Sequence, residues 1–245
     1  MRDLAYDFAE FAANIKYEDL PASTVEATKN DIFDSLSVGI AGSTAKGIQQ
    51  WIEFAEENGG AEQATVFVFG KKFPAHVAAG INASMIHGYD YDDTHEVAMM
   101  HSGTIVISSA LAAAEKMGGV SGRDFIAAVT AGLDIHCRLG LASTIGIVES
   151  GYVYTPLLGI FGGAAAAGRI MNLTSEEMLN AFGIVYAQCA GNYQAIIDSA
   201  WTKRIQPGFA SQAAIVSCEM AEKGILGAHN TFEGKYGLYP VYLQN

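Results

Sequence analysis

Apolar residues recur along this chain at helical spacing. Leu4, Phe8 and Phe11 fall at i, i+4 and i+7, and Val25, Ile32, Leu36 and Ile40 continue at steps near four, the period that lines one face of an α-helix. Pro21-Ala22-Ser23-Thr24 stands ahead of the second series as a start signal, because proline is tolerated where a helix begins. Ser121-Gly122-Arg123-Asp124 and Thr174-Ser175-Glu176-Glu177 have the form of capping boxes, the second with the preferred Glu. They open the runs Phe125-Val129-Leu133 and Met178-Phe182-Val185. Phe209, Ala213, Val216 and Met220 repeat the pattern, and Gly224 offers a C-terminal stop. The one strand-like run, Thr65 to Phe69, is too isolated to make a sheet by itself. The pattern predicts an all-α, multi-helix bundle forming one domain over residues 1–245, with no internal repeat or linker.

Small residues add detail. Ala110 to Ala114 and Gly159 to Gly168 are rich in Ala and Gly, which lets helix axes approach closely and marks these segments as central helices. The glycine run matches neither a P-loop nor a dinucleotide fingerprint. The 245 residues are half hydrophobic with a mean hydropathy of +0.20, enough for a large core, and only 16% are charged. So few charges imply that some apolar surface is covered by another copy or another chain, so a homo-oligomer, a dimer at least, is expected. A net charge of -12 excludes a nucleic-acid partner. Any anion must be held by local cations, and Arg138, Lys203 and Arg204 stand out within apolar stretches. Cys137, Cys189 and Cys218 are odd in number and unpatterned, as reduced thiols are. Met1 to Leu4 lacks an apolar signal region, and the longest apolar run, Leu157 to Met171, is broken by Arg169. No membrane association and a cytoplasmic location are therefore expected.

The chemistry concentrates between Gly88 and His101, where Asp90, Asp92, Asp93, His95 and His101 fall within fourteen residues. Such groups are costly to desolvate. Three readings are open. The carboxylates and His95, with His101, could ligate a divalent metal, although the spacing is not diagnostic. Asp93 or Thr94 could cap a short helix while the others face water. In the third reading His101 is a general acid or base near pH 7, an Asp fixes its tautomer, and Thr94 holds a substrate oxygen. Lys203, with Arg204 and the turn Gln206-Pro207-Gly208, would then hold a substrate carboxylate at a helix start; otherwise Lys203 and Arg204 are an ordinary charged helix terminus. His87, at the end of an apolar segment, stands close enough to line the same cavity, whereas His136 reads as a core histidine. Tyr152 and Tyr154 either shape a pocket or pack.

Taken together, Tyr17-Glu18-Asp19-Leu20-Pro21, Asp90-Tyr91-Asp92-Asp93-Thr94-His95, His101-Ser102-Gly103, Cys137-Arg138-Leu139-Gly140, Gly159-Ile160-Phe161-Gly162, Thr202 to Gly208 and Glu233-Gly234-Lys235-Tyr236-Gly237 resemble the MmgE/PrpD family along the whole chain. Activities in that family include 2-methylcitrate dehydratase, cis-aconitate decarboxylase and iminodisuccinate epimerase. The resemblance implies a large helical domain that mediates dimerisation, followed in ordinary members by a smaller α+β domain, with the active site between them. It also implies chemistry without metal or organic cofactor on small carboxylates, by proton movement at a carbon beside a carboxylate. Asp90, Thr94, His101 and Lys203 fall on positions that line the family's active site.

The sequence departs from the family in ways that bear on chemistry. Val153 stands where the family commonly carries His, Gln206 where it has His, and Ser102 where Pro follows the first His. The pocket has lost basic groups, which suits a less highly charged substrate. His95, Tyr152, Val153, Tyr154, Arg204 and Gln206 are expected to line the substrate. The sequence ends at Asn245, about where the family's second domain begins, so a second MmgE/PrpD-like subunit is expected to complete the cleft. The expectation is the helical subunit of a cofactor-independent lyase or isomerase, of dehydratase or hydratase type, acting on a small carboxylate or its thioester. The competing expectation is a catalytically silent scaffold or regulatory subunit for an active paralogue. A metal hydrolase built on Asp90, Asp92 and His95 is a third.

Overall fold

A computed structural model describes residues 2–244; Met1 and Asn245, the two ends of the sequence, lie outside the described residues. Helix α1 spans Leu4–Asn14, α2 Ala22–Gly42 and α3 Ile48–Asn58. A hairpin of β1 (Ala64–Val66) and β2 (Lys71–Phe73) pairs antiparallel, Ala64 opposite Phe73. Helices α4 (Ala75–Ile86), α5 (Gly103–Lys116), α6 (Gly122–Leu141), α7 (Ile147–Ser150), α8 (Tyr154–Ile170), α9 (Ser175–Tyr186), α10 (Gln194–Ile197) and α11 (Thr202–Glu222) follow, and a π-helical turn covers Tyr239–Leu243. No described helix is long and apolar enough to cross a membrane.

Helix α8 is the axis of the molecule. All its residues but Arg169 are buried, and it packs against α5, α6, α9 and α11. Its small side chains permit this. A methyl group on Gly132 of α6 would stand 2.5 Å from the Gly162 carbonyl oxygen, and one on Gly162 would stand 2.7 Å from that of Gly132, so these two helices cross backbone to backbone. Helices α4 and α11 also touch along much of their length. A methyl group on Gly208 would run into the Ser84 hydroxyl and stand 2.5 Å from the Gly80 carbonyl oxygen. That close approach carries the end of α4 towards the start of α11.

Caps behave as their chemistry requires. Thr174 and Glu177 satisfy each other's backbone N–H groups in a full capping box, and the Ser121 hydroxyl accepts from the Asp124 N–H. Gly224, with φ of 84°, follows the end of α11. Asp3 does more than cap α1. Its carboxylate accepts from the N–H of Ala5 and, from the far end of the sequence, from the N–H groups of Phe232, Glu233 and Gly234.

Two features differ from the pattern read in the sequence. The strand-like run does form a hairpin, because Val68, with φ of 72°, and Gly70 turn the chain and the Lys71–Phe73 segment pairs with it. In α2 the face that meets the core is Val25, Thr28, Ser35, Gly39 and Gly42, whereas Phe33 is 75% and Ile40 59% exposed. Small residues win the inner face because they let the helix approach α4 and α5 closely.

Candidate active site

Three segments bring the polar groups together. Helix α4 is almost wholly buried and ends at Ile86, leaving His87, 1% exposed, as its C-terminal cap. The chain then turns through Asp90, held at φ of 56°, a region Asp tolerates better than most residues. In the loop that returns to α5, the Asp93 carboxylate accepts from the Ser102 and Gly103 N–H groups at 2.8 and 2.9 Å, satisfying donors at the start of α5. The His101 N–H donates to Thr155 Oγ1 at 3.0 Å, which pins the turn to α8. Lys203 lies in the first turn of α11, and Pro207 withholds the N–H that would otherwise bond its carbonyl.

Asp92 is the hub. Its Oδ2 accepts from His87 Nδ1 at 2.9 Å and from Thr104 Oγ1 at 2.5 Å, while its Oδ1 faces His101 Nδ1 at 3.3 Å, an ion-pair distance without full hydrogen-bond alignment. Lys203 Nζ stands 2.9 Å from His87 Nε2 and donates to Asp90 Oδ1. An ammonium has only donors, so His87 Nε2 is the acceptor and Nδ1 carries the proton given to Asp92. The two imidazoles meet edge to face at 4.6 Å between centroids.

The electrostatics follow from this arrangement. Burial raises the Asp92 carboxyl, but the contacts with His101 and His87 outweigh burial and hold it well below the usual carboxylate range. Burial pushes the His87 imidazole below its ordinary value despite Asp92. Burial also pulls on His101, yet the hydrogen-bonding contact and charge of Asp92 win and leave it above its ordinary value. His101 is 21% exposed at its side chain, and its Nε2 lies 4.0 Å from Asp90 Oδ1. Burial thus favours the neutral form of His87, while Asp92 favours the protonated form of the partly exposed His101.

The ligand-type atoms of His87, Asp90, Asp92 and His101 all lie within 4.8 Å of one another, close enough to hold a metal ion. The Lys203 ammonium is bonded to two of those residues, so a metal would have to displace it.

The structure brings Asp90, His101 and Lys203 into this cluster together with Asp92 and with His87, the residue expected to line the same cavity. Thr94 is exposed, with Oγ1 3.5 Å from the Asp92 carbonyl. His95 Nδ1 accepts from the Ala98 N–H within its own loop. Arg204 reaches the Lys46 carbonyl, and Arg138 pairs with Asp134 in an exposed position. Gln206 uses both ends of its amide on the backbone of Asn192 and lines a cavity of about 270 Å³ beside α11. Val153 is the residue before α8, and its N–H donates to the Gly191 carbonyl. Tyr154 is buried with its hydroxyl 2.5 Å from the Ile145 carbonyl oxygen, and Tyr152 packs on Tyr242. These residues lead into Thr155 and so into the His101 turn. His136 is fully buried, with Nδ1 3.3 Å from the Ser102 carbonyl oxygen and Nε2 without a partner; burial lowers it to about 4. The three cysteines are free.

Comparison with known proteins gives this geometry a context. The chain is 26% identical to the cis-aconitate decarboxylase-like protein oryM of Aspergillus oryzae, over 94% of its own length and 49% of that protein. It is 26% identical to a cis-aconitate decarboxylase of Aspergillus terreus, covering 94% of this chain and 48% of that one. For the human cis-aconitate decarboxylase the identity is 24%, over 99% of this chain and 51% of the relative. The chain spans about half the length of the curated relatives it matches. Residues 6–245 match the MmgE/PrpD N-terminal domain, and the chain belongs to the MmgE/PrpD family.

Proposed function

We propose that this chain is the helical component of a cofactor-independent lyase or isomerase that moves a proton next to a carboxylate on a small carboxylate or its thioester. The observation that carries this reading is the opposite shift of two imidazoles that share one buried carboxylate, His87 lowered by burial and His101 raised by Asp92, with an ammonium beside them. His101, raised by Asp92 and partly exposed, would donate or recover the proton at Nε2. Lys203 would exchange Asp90 for the substrate's carboxylate, with Asp90 then free to take or return a second proton. His87 would hold Asp92 and Lys203 in place. Because Asp90 is 53% exposed at its side chain, the cluster lies at an open face, and in this reading a second MmgE/PrpD-like chain covers it.

The relatives' names make cis-aconitate the first substrate to try, with smaller dicarboxylates and thioesters next, since Val153 and Gln206 replace basic groups. In D2O, NMR would follow deuterium incorporation beside the carboxylate together with CO2 release. His101→Ala is expected to cut turnover by about 10²–10⁴-fold; unaltered turnover would remove His101 from the mechanism.

A second reading also has a specific observation behind it. Lys203 is already satisfied by Asp90 and His87, and Val153 cannot move a proton, as befits a silent scaffold for an active paralogue. Co-purification separates the two. A partner whose activity is undiminished when this chain is removed supports the scaffold.

A further inference from the structure

A second set of oxygens converges at the start of α5, outside the His87–Lys203 cluster. Asp31 and Ser35 lie one turn apart on α2 and so share a face. Ser35 Oγ, Asp93 Oδ1 and Asp31 Oδ1 stand 2.8, 2.9 and 3.1 Å from the point that a methyl group on Gly103 would occupy. Only glycine fits there, because a methyl group would press against all three oxygens. Ser35 is fully buried and its hydroxyl has no hydrogen-bond partner, although an orphaned buried hydroxyl is costly. Among the described residues, no Lys, Arg or His forms an ion pair with Asp31 or Asp93. The N–H groups that might have drawn an anion here, those of Ser102 and Gly103, are already taken by Asp93. A cavity of about 600 Å³ opens onto both carboxylates and is also lined by Thr28 and Asp134.

We propose that Asp31, Asp93 and Ser35 form a binding site for a hard cation of the Ca²⁺ type. Two carboxylates and a hydroxyl offer only oxygen, which Ca²⁺ prefers, and an irregular shell of six to eight ligands can be completed by water from the cavity. Imidazole-loving metals would find nothing here. Burial, followed by the charges of Asp93, Asp34 and Asp92, pushes the Asp31 carboxyl up to about 7, and a bound cation would relieve that repulsion. The consequence reaches the neighbouring turn, because Asp93 holds the two N–H groups that follow His101. The site stands apart from the proposed proton chemistry and survives its failure.

The test uses the full chain stripped with a chelator, at pH 8, titrated with CaCl2 by calorimetry and by thermal unfolding. One saturating equivalent and a rise in Tm are expected, with no rise for KCl at matched ionic strength. Asp31→Asn should weaken binding by about tenfold or more, and Ser35→Ala should weaken it while leaving the calcium-free Tm no lower. Absence of saturable binding to the wild type overturns the proposal. Undiminished binding in Asp31→Asn does so too, by moving the ion elsewhere. If Asp31→Asn raises Tm while the wild type ignores calcium, a shared proton relieves the pair and the cation site is refuted.

Discussion

Two imidazoles share the Asp92 carboxylate yet shift in opposite directions, His87 down through burial and His101 up through Asp92, and a pH series can expose the contributions of Asp92 and His101. Its depressed carboxyl contributes stability above about pH 4, where an unfolded Asp is ionised, and that contribution is lost as pH falls. His101, raised, contributes stability below about pH 6.5 that is lost as pH rises through its folded value. Asp92→Asn should therefore flatten the dependence of Tm on pH at both ends, and a Tm profile parallel to the wild type would contradict this pairing. If His101 delivers a proton, kcat should fall on the alkaline side above pH 6.5, and Asp92→Asn should move that limb to lower pH. Lys203→Ala is expected to raise KM more than it lowers kcat if the ammonium clamps a carboxylate; unchanged steady-state constants would show that it does not. Much of this cluster is legible in the sequence, since Asp90, Asp92 and His101 crowd one loop and Lys203 begins a helix, although His95 in the same loop stays out of it. The central place of His87 is not. A histidine closing an apolar run has no spacing signature, and only packing of α4 on α11 turns it towards Asp92 and Lys203.

At the scale of elements, the crossing of α4 and α11 matters more than either helix alone. Gly208→Ala would press a methyl group into Gly80 and Ser84 and should destabilise the fold by roughly 1–3 kcal/mol, while also separating Lys203 from His87. Gly132→Ala, at the α6–α8 crossing, should cost similar stability yet disturb Lys203 binding less. Thermal unfolding with KM measurements on both variants distinguishes a positional effect from general loosening. Capped helices such as α6 and α9 are readable from sequence because their start signals are local hydrogen bonds. The inner face of α2 is only partly so, because beyond Val25 and Ile32 its contact with the core is made by Thr28, Ser35, Gly39 and Gly42, residues that carry no hydrophobic signal. The second strand of the hairpin escapes for a related reason, as Lys71 and Lys72 look like surface and pair only because Val68 and Gly70 turn the chain.

For the whole molecule, Phe33 and Ile40 stand exposed on α2, and the oligomer expected from the low charge content can be tested there. Light scattering on the purified chain should give at least a dimer, and Phe33→Asp should shift it towards monomer; a monomeric wild type would refute the assignment. Asp3 raises a different question of cooperativity. By accepting N–H groups from Ala5 and from Phe232, Glu233 and Gly234, this single carboxylate makes the first turn of α1 and a segment more than two hundred residues away depend on one another. Asp3→Ala should cost roughly 1–3 kcal/mol, and amide exchange should quicken in α1 and across Phe232–Leu243 together, two stretches remote in sequence fraying as one.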